Sequence, residues 1–412
     1  MERDLTRGDI RKGILLFSAP LIAGNLLQQL YNIVDTWVVG RFLGSVALGA
    51  VGSAFSLMTL ITSLLTGLCM GAGVVMSRLY GQGDREGYRR AMGNAFAGIA
   101  LAALALEAAA FGLLESVLGW MRVPAEAVED LRGYLSVVFW GIAFTFLYNF
   151  FATALRSVGN SAAALWFLLC ATLMNIALDL WFVTGLGWGV EGAALATVIA
   201  QAASAGGIAV YCLCRMGSLR PGLRHLRPDR RLLGRIAAVS SLTGAQQSIM
   251  NFGILMIQSL VNSFGVEVMA AFAAGVKIDA FAYAPAQDFA NGFATFVAQN
   301  AGAGRADRVR RGLRDAAAMS LGFCAVVSAL VGILAVPLLG IFIDPSQSAV
   351  MAAGVRYLRT EGLCYVGIGL LFLLYATYRG LEHAGMSVVL TVISLGLRVA
   401  LAYALSPVWG LD

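Results

Sequence analysis

Charge is scarce in this chain. Only 13% of its 412 residues are Asp, Glu, Lys or Arg, about half of what a soluble domain carries. That shortage excludes an ordinary soluble enzyme, a disordered segment and a nucleic-acid-binding module. Histidine is nearly absent, with His225 and His383 alone, so a His-based metal site has no ligands to draw on. The six cysteines, Cys69, Cys170, Cys212, Cys214, Cys324 and Cys364, are scattered and form no C-x-x-C pair. No disulfide framework is expected from them. The glycine clusters at Gly71, Gly81 and Gly302 have no strand-to-helix context, so none reads as a phosphate-binding loop. Neither a Ser-His-Asp set nor an HExxH helix appears. No catalytic residue and no organic cofactor is expected. The charged N-terminus lacks a small-residue cleavage site and is not read as a removable signal peptide.

What is abundant is apolar sequence, 59% of the residues, arranged in long runs. A bilayer crossing takes roughly 20 residues of helix. Eleven runs qualify, at roughly 14–39, 46–78, 88–114, 127–153, 161–184, 190–213, 235–263, 267–299, 310–340, 348–376 and 386–408. The expected fold is an all-α membrane protein in the cell membrane. With the N-terminus in the cytoplasm, 22 of the 29 Lys and Arg residues fall on the inner side, as the positive-inside rule requires. Five lie outside (Arg41, Arg122, Arg132, Arg356 and Arg359), and Lys277 and Arg398 lie within spans. The net charge of +6 is thereby read as loop charge, with no nucleic-acid partner.

The chain repeats itself. GNLLQQLYN at Gly24 answers to GAQQSIMN at Gly244, GQGDREGYRR at Gly81 to GAGRADRVRR at Gly302, and ALRSVGNS at Ala154 to GLEHAGMS at Gly380. The order is the same in both halves, which marks a duplication. Six spans per repeat is an even number. The two lobes are therefore expected to be related by a pseudo-two-fold axis along the membrane normal. The expected division is 1–214 for the N-lobe, 215–234 for a basic linker and 235–412 for the C-lobe. GWGVE at Gly187 opens the sixth span, and its counterpart VWGLD at Val408 ends the chain. The second repeat is accordingly expected to lack its sixth helix.

Polar residues inside spans are costly and point to protein or water. Asn25, Gln28, Gln29, Asn32 and Asp35 follow one helical stripe in the first span, which also holds Pro20, a site for bending. Asn175 and Asp179 are four apart in the fifth span, and Thr197 and Gln201 four apart in the sixth. Two carboxylates with an amide and a hydroxyl could hold Na⁺ or share a proton; interhelical hydrogen bonding is the plainer alternative. The second lobe carries Gln246, Gln247, Asn251, Lys277, Asp279, Asp288, Asn291, Glu361 and Arg398. Lys277 and Asp279 are two apart and cannot face each other, so Lys277 is expected to pair with an acid from another span. Met58, Met70, Met174, Met250 and Met256 are candidates for lining a promiscuous cavity.

The ordered segments YNIVDTWVVGRFLG at Tyr31, ALRSVGNS, MNIALDLWFV at Met174 and VAQNAGAGR at Val297 resemble the MATE (multidrug and toxic compound extrusion) family, most of all its bacterial DinF-like branch. The resemblance implies a two-lobed antiporter that exports drugs or organic cations in exchange for Na⁺ or H⁺ and works as a monomer. It implies a cation site of Asp35, Asn175, Asp179 and Thr197, with helix bending at Pro20. Gln28, Asn32, Gln201, Gln247 and Asn251 are candidates for the substrate cavity. The rival readings are a lipid-linked oligosaccharide flippase of the same superfamily, whose phosphate substrate would want a basic cavity, and a membrane-embedded enzyme. The acids of the first lobe favour a cation.

Overall fold

The computed structural model describes residues 4–121, 124–262, 264, 266–344 and 347–409. Among them there is no strand. Thirteen helices follow one another: α1 Ile10–Phe42, α2 Gly44–Gln82, α3 Arg85–Gly112, α4 Leu114–Met121, α5 Ala125–Val138, α6 Gly141–Ser157, α7 Ala162–Asp179, α8 Gly189–Arg215, α9 Arg230–Asn262, α10 Val266–Gly302, α11 Ala306–Leu339, α12 Ser348–Gly380 and α13 Ala384–Trp409. The protein is a multi-pass membrane protein. Eight of the described helices are long and apolar enough to cross a bilayer. The fourth expected span is a broken one, since α5 and α6 meet at 46°. The seventh and eighth expected spans correspond to α9 and α10, of 33 and 37 residues. Arg3 and Arg122 of the charge count lie outside the described residues, as do the side chains of the VWGLD segment.

The chain divides into two compact units, and the division is not at the basic linker. Unit 1 holds Ala23–Gly244 and unit 2 holds Leu5–Ile22 together with the residues from Ala245 onward. The boundaries therefore run through α1 and α9. Side-chain packing is the reason. Ile14 and Phe17 of α1 are buried in one cluster with Phe293, Phe296 and Tyr375 of unit 2. In unit 1, Gly71 of α2 meets α9 so closely that a Cβ would lie 2.4 Å from the Ser240 Cα, and Gly67 meets Gly244 in the same way.

The segments that precede α1 and α9 are likewise held by opposite units. Ahead of α1, Leu5 N–H donates to Gln299 Oε1 at 3.1 Å, and Arg305 and Arg308 donate to the carbonyls of Thr6 and Gly8 at 2.7 and 2.9 Å. Gln299, Asn300 and Arg305 of the VAQNAGAGR motif are thus the clamp for the start of the chain. Ahead of α9, the linker forms two short 3₁₀ turns and lies on α3. Asn94 donates to the carbonyls of His225 and Arg227 at 3.1 and 3.2 Å and accepts from Asp229 N–H at 2.9 Å. His225 is buried, with Nε2 3.3 Å from Glu86.

Candidate functional site

Unit 1 brings the predicted cation residues together. Asn175 and Asp179 lie one turn apart at the end of α7, and the helix widens into a π turn over Leu180–Gly185 directly after Asp179. Such turns are rare and recur at functional sites. Thr197 comes from α8 and Asp35 from α1. Asn175 Nδ2 donates to Thr197 Oγ1 at 3.3 Å, and the Tyr31 hydroxyl lies 3.2 Å from the same oxygen. Asp179 is 0% exposed, Asn175 1% and Thr197 8%. Asp35 and Asp179 lie close enough for their charges to act on each other.

The donors and acceptors at this point do not balance. Both oxygens of Asp179, Oδ1 of Asp35 and Oδ1 of Asn175 are buried with no hydrogen-bond partner. An ionised carboxylate only accepts, and Asn175 has turned its donor to Thr197. Among the described residues, no arginine or lysine forms an ion pair with either acid. Two buried carboxylates facing each other repel, by ~4 kcal/mol at about 4 Å in an effective dielectric of ~20. A proton or a small cation between them removes that cost. All the donor atoms are oxygens, the chemistry of a hard cation. Among the described residues no three His, Cys, Asp or Glu side chains gather as a transition-metal site would require.

The remaining candidates are spread out. Gln28 and Asn32 continue the α1 stripe, 3.5 Å apart, and both belong to unit 1. Gln201 is on α8, its Oε1 3.5 Å from Thr145 and against Gly141, where a Cβ would come within 2.6 Å. It supports the α5–α6 break. Gln247 and Asn251 are half-buried on the unit 2 part of α9. Pro20 lies inside an unbroken α1, two residues before that helix passes from unit 2 to unit 1.

Unit 2 has its own buried acid, paired differently. Asp279 accepts hydrogen bonds from the hydroxyls of Tyr357, at 2.8 Å, and Tyr365. Glu361, between those tyrosines on α12, pairs with Arg398 at 3.3 Å. Lys277 does not take the acid expected for it: the side chain is exposed, with Nζ 5.7 Å from the centre of the Phe342 ring, a cation–π contact. Arg379, buried, donates to Asn291 at 2.7 Å, and Asn291 reaches Asp288. The tyrosines were missed in the sequence although their signal was there. Tyr31 precedes Asp35 by four, and Tyr357, Glu361 and Tyr365 are spaced by four, which puts each set on one helix face.

The MatE family model matches residues 20–181 and again 243–404, so the duplication covers most of the chain. Probable multidrug resistance protein YpnP of Bacillus subtilis is 29% identical over 95% of this chain and 87% of its own length. Multidrug export protein MepA of Staphylococcus saprophyticus is 24% identical over 91% of this chain and 83% of its own. Among solved structures, a MATE in complex with MaL6 aligns with a TM-score of 0.90 at 25% identity, covering 99% of this chain and 92% of that one. An outward-facing multidrug resistance MATE transporter of the MOP superfamily aligns at 0.93 and 24% identity, over 99% and 91%. The chain belongs to the MATE family of transporters. It is a membrane transporter rather than an enzyme.

Proposed function

We propose that this protein is a multidrug efflux antiporter of the cell membrane, with its N-terminus in the cytoplasm, and that Asp35 and Asp179 bind the coupling ion, Na⁺ or H⁺. The unpartnered, mutually facing carboxyls of these residues carry the proposal. Asn175 and Thr197 complete the oxygen set, and Tyr31 holds the Thr197 hydroxyl. Small organic cations or drugs are the cargo, as the names of the relatives suggest. Gln28, Asn32, Gln201, Gln247 and Asn251 are the polar contacts offered to it, and the protein works as a monomer. Cation entry relieves the repulsion between the acids. The resulting change in α1, eased at Pro20 where the helix lacks one hydrogen bond, lowers the affinity for cargo. Its effect is bounded by the difference in cation affinity between the two states. The excess of Lys and Arg on one set of loops supports the orientation.

Dye efflux from proteoliposomes, driven separately by a Na⁺ gradient and by a pH gradient, tests this reading. Efflux under one gradient, abolished in Asp35→Asn, is the expected result. Efflux that persists unchanged in the variant would remove Asp35 from the coupling site.

A further inference from the structure

Glu107 is a membrane-buried acid that the site above does not use. It lies on α3, whose buried residues Tyr88, Met92, Ala95, Ile99, Ala103 and Glu107 repeat every three or four positions. The carboxyl therefore ends an inward-facing stripe rather than a lipid-facing one. Glu107 is 8% exposed, and its Oε2 is buried with no hydrogen-bond partner. Among the described residues, the polar group that acts on it is the backbone N–H of Ala143, in the first turn of α6. That turn directly follows the 46° break in the α5–α6 span.

The surroundings are apolar. Phe111 and Phe139 meet edge to face at 5.6 Å one helical turn beyond Glu107 on α3, and Phe96 and Phe146 lie 5.6 Å apart on its other side. The basic groups on the neighbouring elements are paired or distant. On α5, Arg132 is bonded to Glu115 of α4 and to Glu129 at 2.9 Å. Arg156 of α6 lies 13 residues past Ala143, about 20 Å along the helix axis. Glu86, Arg89 and Arg90 open α3 together with the linker's Arg224 and His225, about 25–30 Å from Glu107. On α2, the ionisable side chains are Cys69, Arg78 and Tyr80, and Arg78 comes four residues before the end of that helix. Ionised, Glu107 would be an uncompensated charge in a dry aromatic seam, which low dielectric makes costly.

We infer that Glu107 is a second proton-binding carboxyl of unit 1, set at the break in the α5–α6 span and separate from the Asp35–Asp179 pair. With the proton bound, the acid is neutral and Oε2 becomes a donor. With the proton released, the full charge falls on the first turn of α6, where the Ala143 N–H and the helix dipole attract it. Proton occupancy is thereby linked to how firmly α6 is held at the break.

The inference does not depend on the transport reading, and its test does not use transport. Infrared difference spectra of the purified protein in lipid vesicles, titrated across pH, report protonated buried carboxyls through their C=O stretch. The comparison is between Asp35→Asn/Asp179→Asn and the same protein carrying Glu107→Gln as well. The expected result is a carboxylic-acid band that survives in the double variant and disappears when Glu107 is also changed. Identical spectra from the two would overturn the inference while leaving the acid pair untouched. Glu107→Gln alone resembles the protonated acid in shape and charge, so its melting temperature should match the wild type at neutral pH. Marked destabilisation, rescued in Glu107→Asp, would show instead an ionised cap of α6 and would equally overturn it.

Discussion

Replacing Asp179 by Asn probes the acid pair through stability. The residue is fully buried and its two oxygens lack partners. In the wild type without Na⁺ at alkaline pH, both carboxylates are ionised and their repulsion amounts to ~4 kcal/mol at about 4 Å with an effective dielectric of ~20. The amide removes that repulsion and is nearly isosteric, so under those conditions the variant should melt at a higher temperature. Lowering the pH or adding Na⁺ supplies a proton or cation that binds only the folded wild type, and ligand at ~100 times its dissociation constant stabilises by ~2.7 kcal/mol. The ordering should then reverse, because the variant has lost one of the two charges that attract the ion. Thermal unfolding of both proteins in NaCl and in choline chloride, across pH, reads the crossing directly. A response to Na⁺ or pH alone identifies the ion. A variant as sensitive to both as the wild type would refute the argument, since the pair could not then be where the ion binds.

Three further substitutions test the packing that holds unit 1. Gly71→Ala puts a Cβ 2.4 Å from the Ser240 Cα; backbone cannot swing aside as a side chain can, so destabilisation beyond the usual ~1–3 kcal/mol of overpacking is expected. Gly98→Ala, which meets only a leucine methyl at 3.8 Å, should melt as the wild type does. Asn94→Ala removes three hydrogen bonds to the linker, each contributing about 1 kcal/mol. Limited proteolysis between Arg220 and Arg230 should accelerate, and an unchanged cleavage rate would show that the strap is held by other contacts.

Much of this was legible in the amino acids. Runs of apolar sequence marked the approximate position of most crossings, because the energy of moving each residue into lipid depends on its own chemistry. Asp35, Asn175, Asp179 and Thr197 stood out for the same reason: each is expensive where it lies. The period of the helix aligned Asn175 with Asp179 and Asn32 with Gln28. None of that says which helix faces which. Lys277 looked like the partner of a buried acid, yet the two-residue step from Asp279 turns it outward onto Phe342. Asp279 instead takes its hydrogen bonds from two tyrosines on α12, 78 and 86 residues away in sequence.

The sequence by itself determined the solvent the protein folds in, the duplication and the residues that solvent makes costly, since these follow from local composition and period. Only the tertiary structure decided that α1 and α9 are each shared between two units, that the straps before them are clamped by Gln299, Asn300 and Arg308 in one unit and by Asn94 in the other, and that Glu107 meets the broken end of α6. Those outcomes depend on the fit of small residues such as Gly67 and Gly71 against another backbone, and on hydrogen bonds between positions as much as 303 residues apart. Contacts of that kind are set by shape and distance in three dimensions, for which a one-dimensional pattern carries no direct signal.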